Sequence, residues 1–133
     1  MKFENSQINV LIEASMKAVS QAYMPYSEYP VGAAVLCEDG SVISGANIEN
    51  SSYPVSICAE RVAISSALSM GHRKFSAIAV YTPCGDISPC GMCRQFISEF
   101  GEDILVVFKW GEEWKSESIN KLLPYAFSVR NLK

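Results

Sequence analysis

Apolar residues recur at Ile8, Leu11, Ile12, Val19, Ala22 and Tyr23, with Ser15 in the same row. That three-to-four spacing predicts an amphipathic helix from Ser6 to Tyr23, capped by Asn5 or Ser6. Pro25 and Pro30 stop it and bracket an extended stretch, Tyr26-Ser27-Glu28-Tyr29. Val31 to Cys37 and Ser41 to Ala46 read as two strands joined through Glu38-Asp39-Gly40, where glycine can take positive φ. Asn47 to Ile57 is a polar loop containing Pro54. Helical spacing returns from Cys58 to Met70 through Val62, Ala63, Ala67 and Leu68, and Gly71 ends it. Phe75 to Thr82 and Ile104 to Trp110 are mostly apolar, as strands covered on both faces are. Between them lie a short loop, Pro83 to Ser88, and a helix from Cys90 to Phe100 ended by Gly101. Gly111 to Ser116 is a turn carrying no more than a weak strand, and Ser118 to Leu123 is a short helix before Pro124. The order αββαβαβ, with crossovers of helical length, predicts an α/β fold in which helices cover the faces of a mixed sheet. No linker or low-complexity tract interrupts it, so residues 1–133 are expected to form a single domain.

Composition narrows the function classes. Hydrophobic residues make up 49% of the chain and charged residues 19%, which excludes a disordered chain. Lys and Arg number 11 against 14 Asp and Glu, a net charge of −3 with no basic run. Nucleic-acid binding through the phosphate backbone is therefore not expected. No apolar stretch approaches the ~18–20 residues of a membrane span. The first residues, MKFENSQINVLIEAS, place Glu4, Asn5, Ser6 and Gln7 where a signal peptide needs an unbroken apolar stretch. A cytoplasmic protein with reduced thiols is the expectation.

That expectation changes what the five cysteines mean. An odd number of them, at positions 37, 58, 84, 90 and 93, does not read as a disulfide framework. Metal binding, catalysis or core packing fit better. His72 is the single histidine and sits in Gly71-His72-Arg73-Lys74, which reads as a solvated turn after a helix, so histidine chemistry is nearly excluded.

Two motifs carry chemistry: Cys58-Ala59-Glu60, and Pro89-Cys90-Gly91-Met92-Cys93 thirty residues further on. Both fall where the chain enters a helix. Cys90 and Cys93 share one helix face at its first turn, and Cys58 opens the other helix. The partial positive charge of a helix N-terminus favours thiolates there. Three thiolates suit a tetrahedral Zn²⁺ at ~2.3 Å, one per chain, and leave the fourth position for water, as catalytic sites do. Glu60, two residues past one ligand, can take a proton from that water and return it to a substrate nitrogen. Arg61 can donate to a thiolate and offset the excess negative charge, or be a plain helix-surface arginine.

Zinc deaminases carry a ligand-x-Glu and a Pro-Cys-x-x-Cys signature, with three cysteines as one variant, and this chain fits it. The resemblance extends through Pro25-Tyr26-Ser27, Val31 to Ala34, Gly45 to Asn50, Tyr53, Cys58 to Arg61, Ser88 to Gln95 and Leu122 to Phe127. In these segments the chain resembles the cytidine deaminases of the small, homotetrameric, three-cysteine type. The resemblance implies a three-layer α/β/α sandwich around a roughly five-stranded mixed sheet. It also implies hydrolysis of cytidine and 2′-deoxycytidine to uridine, 2′-deoxyuridine and ammonia in pyrimidine salvage. In that chemistry a zinc-bound hydroxide attacks C4 and Glu60 shuttles protons. By the same resemblance Asn47 and Glu49 grip the ribose 3′-hydroxyl, and the Ala59 backbone and Glu60 hold the cytosine edge. Phe127 and Tyr53 reach a neighbouring subunit's pocket, and Tyr29 packs on the base where the family usually has Phe. A homotetramer with shared active sites follows from these positions.

Rival readings stand beside it. Cys84 with Cys58, Cys90 and Cys93 would make a closed four-cysteine site, which leaves Glu60 unexplained. Cys90-x-x-Cys93 as a thioredoxin-like pair ignores Cys58 and Glu60. A blasticidin-type deaminase shares both motifs but not the Asn47 to Tyr53 segment. A polynucleotide editor resembles His-x-Glu enzymes and needs a basic groove that is not visible here. A structural zinc module would bind a partner and catalyse nothing. Cys37 reads as a small core residue.

Overall fold

The computed structural model describes residues 5–133. A five-stranded mixed sheet forms the middle layer: β1 (Gly32–Cys37), β2 (Val42–Ala46), β3 (Phe75–Tyr81), β4 (Leu105–Trp110) and β5 (Glu113–Ser118), in the order β2-β1-β3-β4-β5. Only β3 and β4 pair in parallel; the other neighbours are antiparallel. Helix α1 (Asn5–Ala18) covers one face. Helices α2 (Ala59–Ser69) and α3 (Gly91–Ser98) cover the other, and the short α4 (Ile119–Leu122) follows β5. The three-layer expectation is met.

Alternation along the strands divides the core in two. Ala33, Val35, Ile78, Val80, Val106 and Phe108 face α2 and α3, packing on Ala63, Ile64, Ala67 and Ile97. Ala34, Leu36, Ala77, Ala79 and Val107 face α1 and receive Leu11, which is fully buried. Every residue of β1 is buried, which explains its unbroken apolar run. Burying one such Val, Leu or Ile side chain contributes ~1.5–3 kcal/mol.

Two glycines set how closely the layers approach. A Cβ on Gly32 would lie 2.0 Å from the Ser15 carbonyl oxygen in α1, and one on Gly45 would lie 2.5 Å from the Ala63 nitrogen in α2. Both obstacles are backbone, so neither can swing aside.

The structure departs from the sequence reading at three places. Helix α1 stops at Ala18 and tightens into a 3₁₀ turn, Val19–Gln21, rather than running to Tyr23. The reason is competition for backbone: Tyr23 donates to the Asn47 carbonyl at 2.9 Å and accepts from the Glu49 N–H at 2.8 Å. Residues 25–27 form a turn rather than an extended run, closed by the Glu28 N–H on the Met24 carbonyl at 3.1 Å, with Glu28 at φ 56. The weak strand near 113 is a full one, six residues paired with β4, because the turn at Gly111-Glu112 takes positive φ at both positions.

Gly32→Ala is expected to lower stability by ~1–3 kcal/mol through overpacking against backbone. The check is a lower denaturant midpoint at unchanged m-value.

Candidate active site

Strands β2 and β3 each lead, through a loop, into the helix that covers them, so α2 and α3 start at the same end of the sheet. Cys58 and Cys90 are the N-cap residues of those helices, both with extended φ and ψ. Neither side chain caps its own helix, which leaves both sulfurs free to face each other. Cys93 lies one turn into α3 and is fully buried. The three sulfurs all lie within 4.8 Å of one another, and Cys58 Sγ is 3.8 Å from Cys90 Sγ. Zinc–sulfur bonds of ~2.3 Å at tetrahedral angles separate sulfurs by ~3.8 Å, the separation at which Cys58 and Cys90 already stand, so this donor set fits such an ion. Cys84 is exposed and outside the cluster, which removes the four-cysteine arrangement.

Charge is distributed around the sulfurs. The Cys58 thiol is held well below its ordinary value by donation from the Cys93 thiol, with smaller help from Arg61 and Cys90. Cys93 is pushed up in turn, since it gives its proton to Cys58 and is buried. Arg61 Nη2 lies 3.8 Å from Cys58 Sγ and 3.5 Å from the Ser56 carbonyl. Its Nε is buried without a partner among the described residues. The guanidinium thus turns inward toward the sulfurs, not outward as a surface arginine would. Glu60, the second residue of α2, is 3% exposed. Burial pushes its carboxyl up to about 7, and the Cys58 charge adds to the shift.

Cys58, Cys90 and Glu60 line a cavity of about 400 Å³, with Cys93 buried behind them. Its walls include Tyr29, Asn47, Glu49 and the fully buried Ala59, with Ile57 and Ile87 as apolar sides. A larger hollow of about 480 Å³, lined by Tyr125, Arg130 and Asn131 among others, contains no cysteine. Tyr53 and Phe127 do not line the cavity of their own chain; they are 68% and 60% exposed. Tyr53 packs on Tyr26 at 5.7 Å between ring centroids.

Asn47 and Glu49 have local partners as well. Asn47 Oδ1 accepts from the Val31 N–H at 2.9 Å, and its Nδ2 donates to the Tyr29 carbonyl at 2.8 Å. Glu49 accepts from the N–H groups of Tyr26 and Ser27 and from the Ser27 hydroxyl. The wall at 26–31 is therefore fastened by the residues the sequence reading assigned to the sugar. Thr82, 2% exposed, adds a third tie by donating to the Pro30 carbonyl at 2.8 Å.

Arg94 escaped the sequence reading. Its Nε donates to the Pro89 carbonyl at 2.8 Å, Nη1 to the Leu122 carbonyl at 2.8 Å and Nη2 to Ser88 Oγ at 3.2 Å. It fixes the loop that delivers Cys90 against the end of α4. Its place one residue past Cys93 in the second motif was the available signal.

Such a fold, with cysteines at two helix starts beside a buried carboxylate, defines a metal-site α/β protein of the deaminase class. The family model for the cytidine and deoxycytidylate deaminase zinc-binding region matches residues 5–109, and the chain belongs to that family. A cytidine deaminase from Sporosarcina psychrophila is 48% identical over 128 residues, 94% of each chain. The crystal structure of cytidine deaminase from Burkholderia pseudomallei superposes with a TM-score of 0.84 at 45% identity, covering 90% of this chain and 98% of that one. A blasticidin-S deaminase from Bacillus cereus is more distant, 33% identical over 127 residues. The family is one of hydrolytic enzymes.

Arg94→Ala is expected to cost ~2–4 kcal/mol, since it strips two carbonyls and a hydroxyl of a charged donor; denaturant unfolding reads it. A second expectation concerns acid. Glu49 is held below the ordinary carboxylate range, chiefly by the Ser27 hydroxyl and then by the Ser27 and Tyr26 N–H groups. Because the folded value is the lower one, this contribution is present above the unfolded value and lost as pH falls through the folded one. Protection of the Tyr26 and Ser27 amides from exchange should drop in that window, and Glu49→Gln should flatten the dependence.

Proposed function

We propose that this protein hydrolyses cytidine and 2′-deoxycytidine to uridine and 2′-deoxyuridine with release of ammonia, as a step of pyrimidine salvage. The observation that carries the reading is three thiols within 4.8 Å of one another beside a buried carboxylate, two of the thiols and the carboxylate lining a cavity of about 400 Å³. Cys58, Cys90 and Cys93 hold one Zn²⁺ per chain. When bound, that ion supplies water acidified enough to react near neutral pH.

The chain's own groups do the rest. Glu60 relays both protons of the reacting water in turn, one to the ring nitrogen N3 and one to the amino nitrogen, so that the water oxygen bonds to C4 while the C4–amino bond breaks and ammonia leaves. Burial raises the Glu60 carboxyl above its ordinary value, the direction that favours taking up and passing on a proton near neutral pH. The Ala59 backbone and Glu60 hold the base edge, and Tyr29 packs on its ring. Asn47 and Glu49 bind the ribose 3′-hydroxyl. Arg61 steadies the sulfur charge. The whole chain acts as one domain in a cytoplasmic homotetramer, in which Tyr53 and Phe127 complete neighbouring sites. Their exposed rings support the shared sites.

Glu60→Gln tests the reading. Turnover, followed as loss of cytidine absorbance, is expected to fall ~10²–10⁴-fold while elemental analysis still finds one zinc per chain. Chelation should abolish turnover and added zinc restore it. Full activity in Glu60→Gln, or in metal-stripped protein, overturns it, and faster turnover of blasticidin S than of cytidine overturns the substrate assignment.

A further inference from the structure

A second group of potential ligands lies at the opposite end of β1 and α2. Cys37 closes β1, Asp39 sits in the turn to β2, and His72 follows the C-terminal turn of α2. Cys37 Sγ, an Asp39 carboxylate oxygen and a His72 ring nitrogen all lie within 4.8 Å of one another. The imidazole expected to be solvated is largely covered: its side chain is 20% exposed, against 61% for Asp39, while Cys37 is 1% exposed.

Hydrogen bonds to the main chain position all three residues. Asp39 Oδ1 accepts from the Ser41 N–H at 2.9 Å, which leaves Oδ2 turned to His72 Nδ1 at 3.8 Å. That gap is too long for a hydrogen bond. Metal–nitrogen and metal–oxygen bonds of ~2.0–2.2 Å span it, and roughly 0.4 Å of closure gives the ~3.4 Å separation of a tetrahedral pair. The Asp39 side chain is exposed enough to supply that movement. His72 N–H is tied to the Ala67 carbonyl at 3.0 Å, and Cys37 N–H to the Ser41 carbonyl at 2.8 Å, so both backbones are fixed.

We propose that Cys37, Asp39 and His72 form a second metal-ion site, for a divalent ion of the zinc type. A thiolate sulfur, an imidazole nitrogen and a carboxylate oxygen form a borderline donor set that suits zinc better than calcium or magnesium. The ion ties the β1–β2 turn to the end of α2. Eleven residues of helix separate the two ends of α2 by ~16 Å, so this ion takes no part in chemistry at Cys58 and Glu60. Burial and the Asp39 charge keep the Cys37 proton in place, and the ion must displace it. Binding is accordingly weaker than at a site of three converging thiols.

His72 is the only histidine, so its two imidazole ring-proton resonances report this site alone, whatever the cysteine cluster holds. Zinc chloride titrated into tag-free protein should move them saturably. Asp39→Asn keeps the acceptor for Ser41 and should raise the zinc midpoint about tenfold or more, since even an outer partner of a metal ligand is worth ~10–100-fold. Cys37→Ala should do the same; should it fail to fold, Asp39→Asn still decides. The proposal falls if the resonances stay in place up to millimolar zinc, or if either folded variant titrates with the wild-type midpoint.

Discussion

Three thiols brought within 4.8 Å of one another repel as they ionise, and much of the surrounding structure serves to bear that charge. Cys58 and Cys90 stand at two helix starts, where the partial positive charge of the helix end favours a thiolate. Arg61 places its guanidinium beside Cys58, and its Nε has no other partner. Glu60, by contrast, adds negative charge to the same few ångströms, and its raised carboxyl value is the consequence. A divalent cation held by the sulfurs would relieve both the sulfur repulsion and the burial of the Glu60 charge.

That convergence is a property of topology before it is a property of residues. Strands β2, β3 and β4 run in the same direction, with β1 inserted between the first two, and α2 and α3 are the crossovers between them. Crossovers of one hand lie on one face. Their helices then begin beyond the carboxyl ends of β2 and β3, where open α/β sheets place their ligands. Close layering is the further requirement, met where Gly45 admits the backbone of α2 and Gly32 that of α1. A methyl group at either position would displace a helix, and at Gly45 it would displace the one that carries Glu60.

The parts legible in the sequence were those written in local patterns. The apolar runs predict β1, β3 and β4, and the motifs at Cys58 and Cys90 put both helix starts within a residue of where they fall. Arrangements fixed by distant partners were not legible. The end of α1 depends on Asn47 and Glu49 claiming the backbone of Tyr23. The turn at 25–27 depends on the Glu49 carboxylate. Cys37 and His72, thirty-five positions apart, meet only because β1 and α2 end side by side, so a turn histidine was read as solvated when it is mostly covered. The position of Arg94 one residue past Cys93 is legible, but its bonds to the Pro89 and Leu122 carbonyls and to Ser88 are not, because they join segments that residue spacing does not relate.

Asn47 and Glu49 show how one pair of side chains can shape a wall and still face the cavity. A carboxylate offers about four lone-pair directions and a primary amide two donors and two acceptor directions. Glu49 uses three of its four on Tyr26 and Ser27; Asn47 uses one donor and one acceptor on Tyr29 and Val31. What remains is one N–H and one lone pair on Asn47 and one lone pair on Glu49. A hydroxyl both donates and accepts, so it is the group that this remainder suits. Because the other bonds already fix both side chains, little rotamer entropy is left to lose on binding. Removing either residue would loosen the wall as well as remove a contact, so its effect on affinity and its effect on loop order are expected to move together.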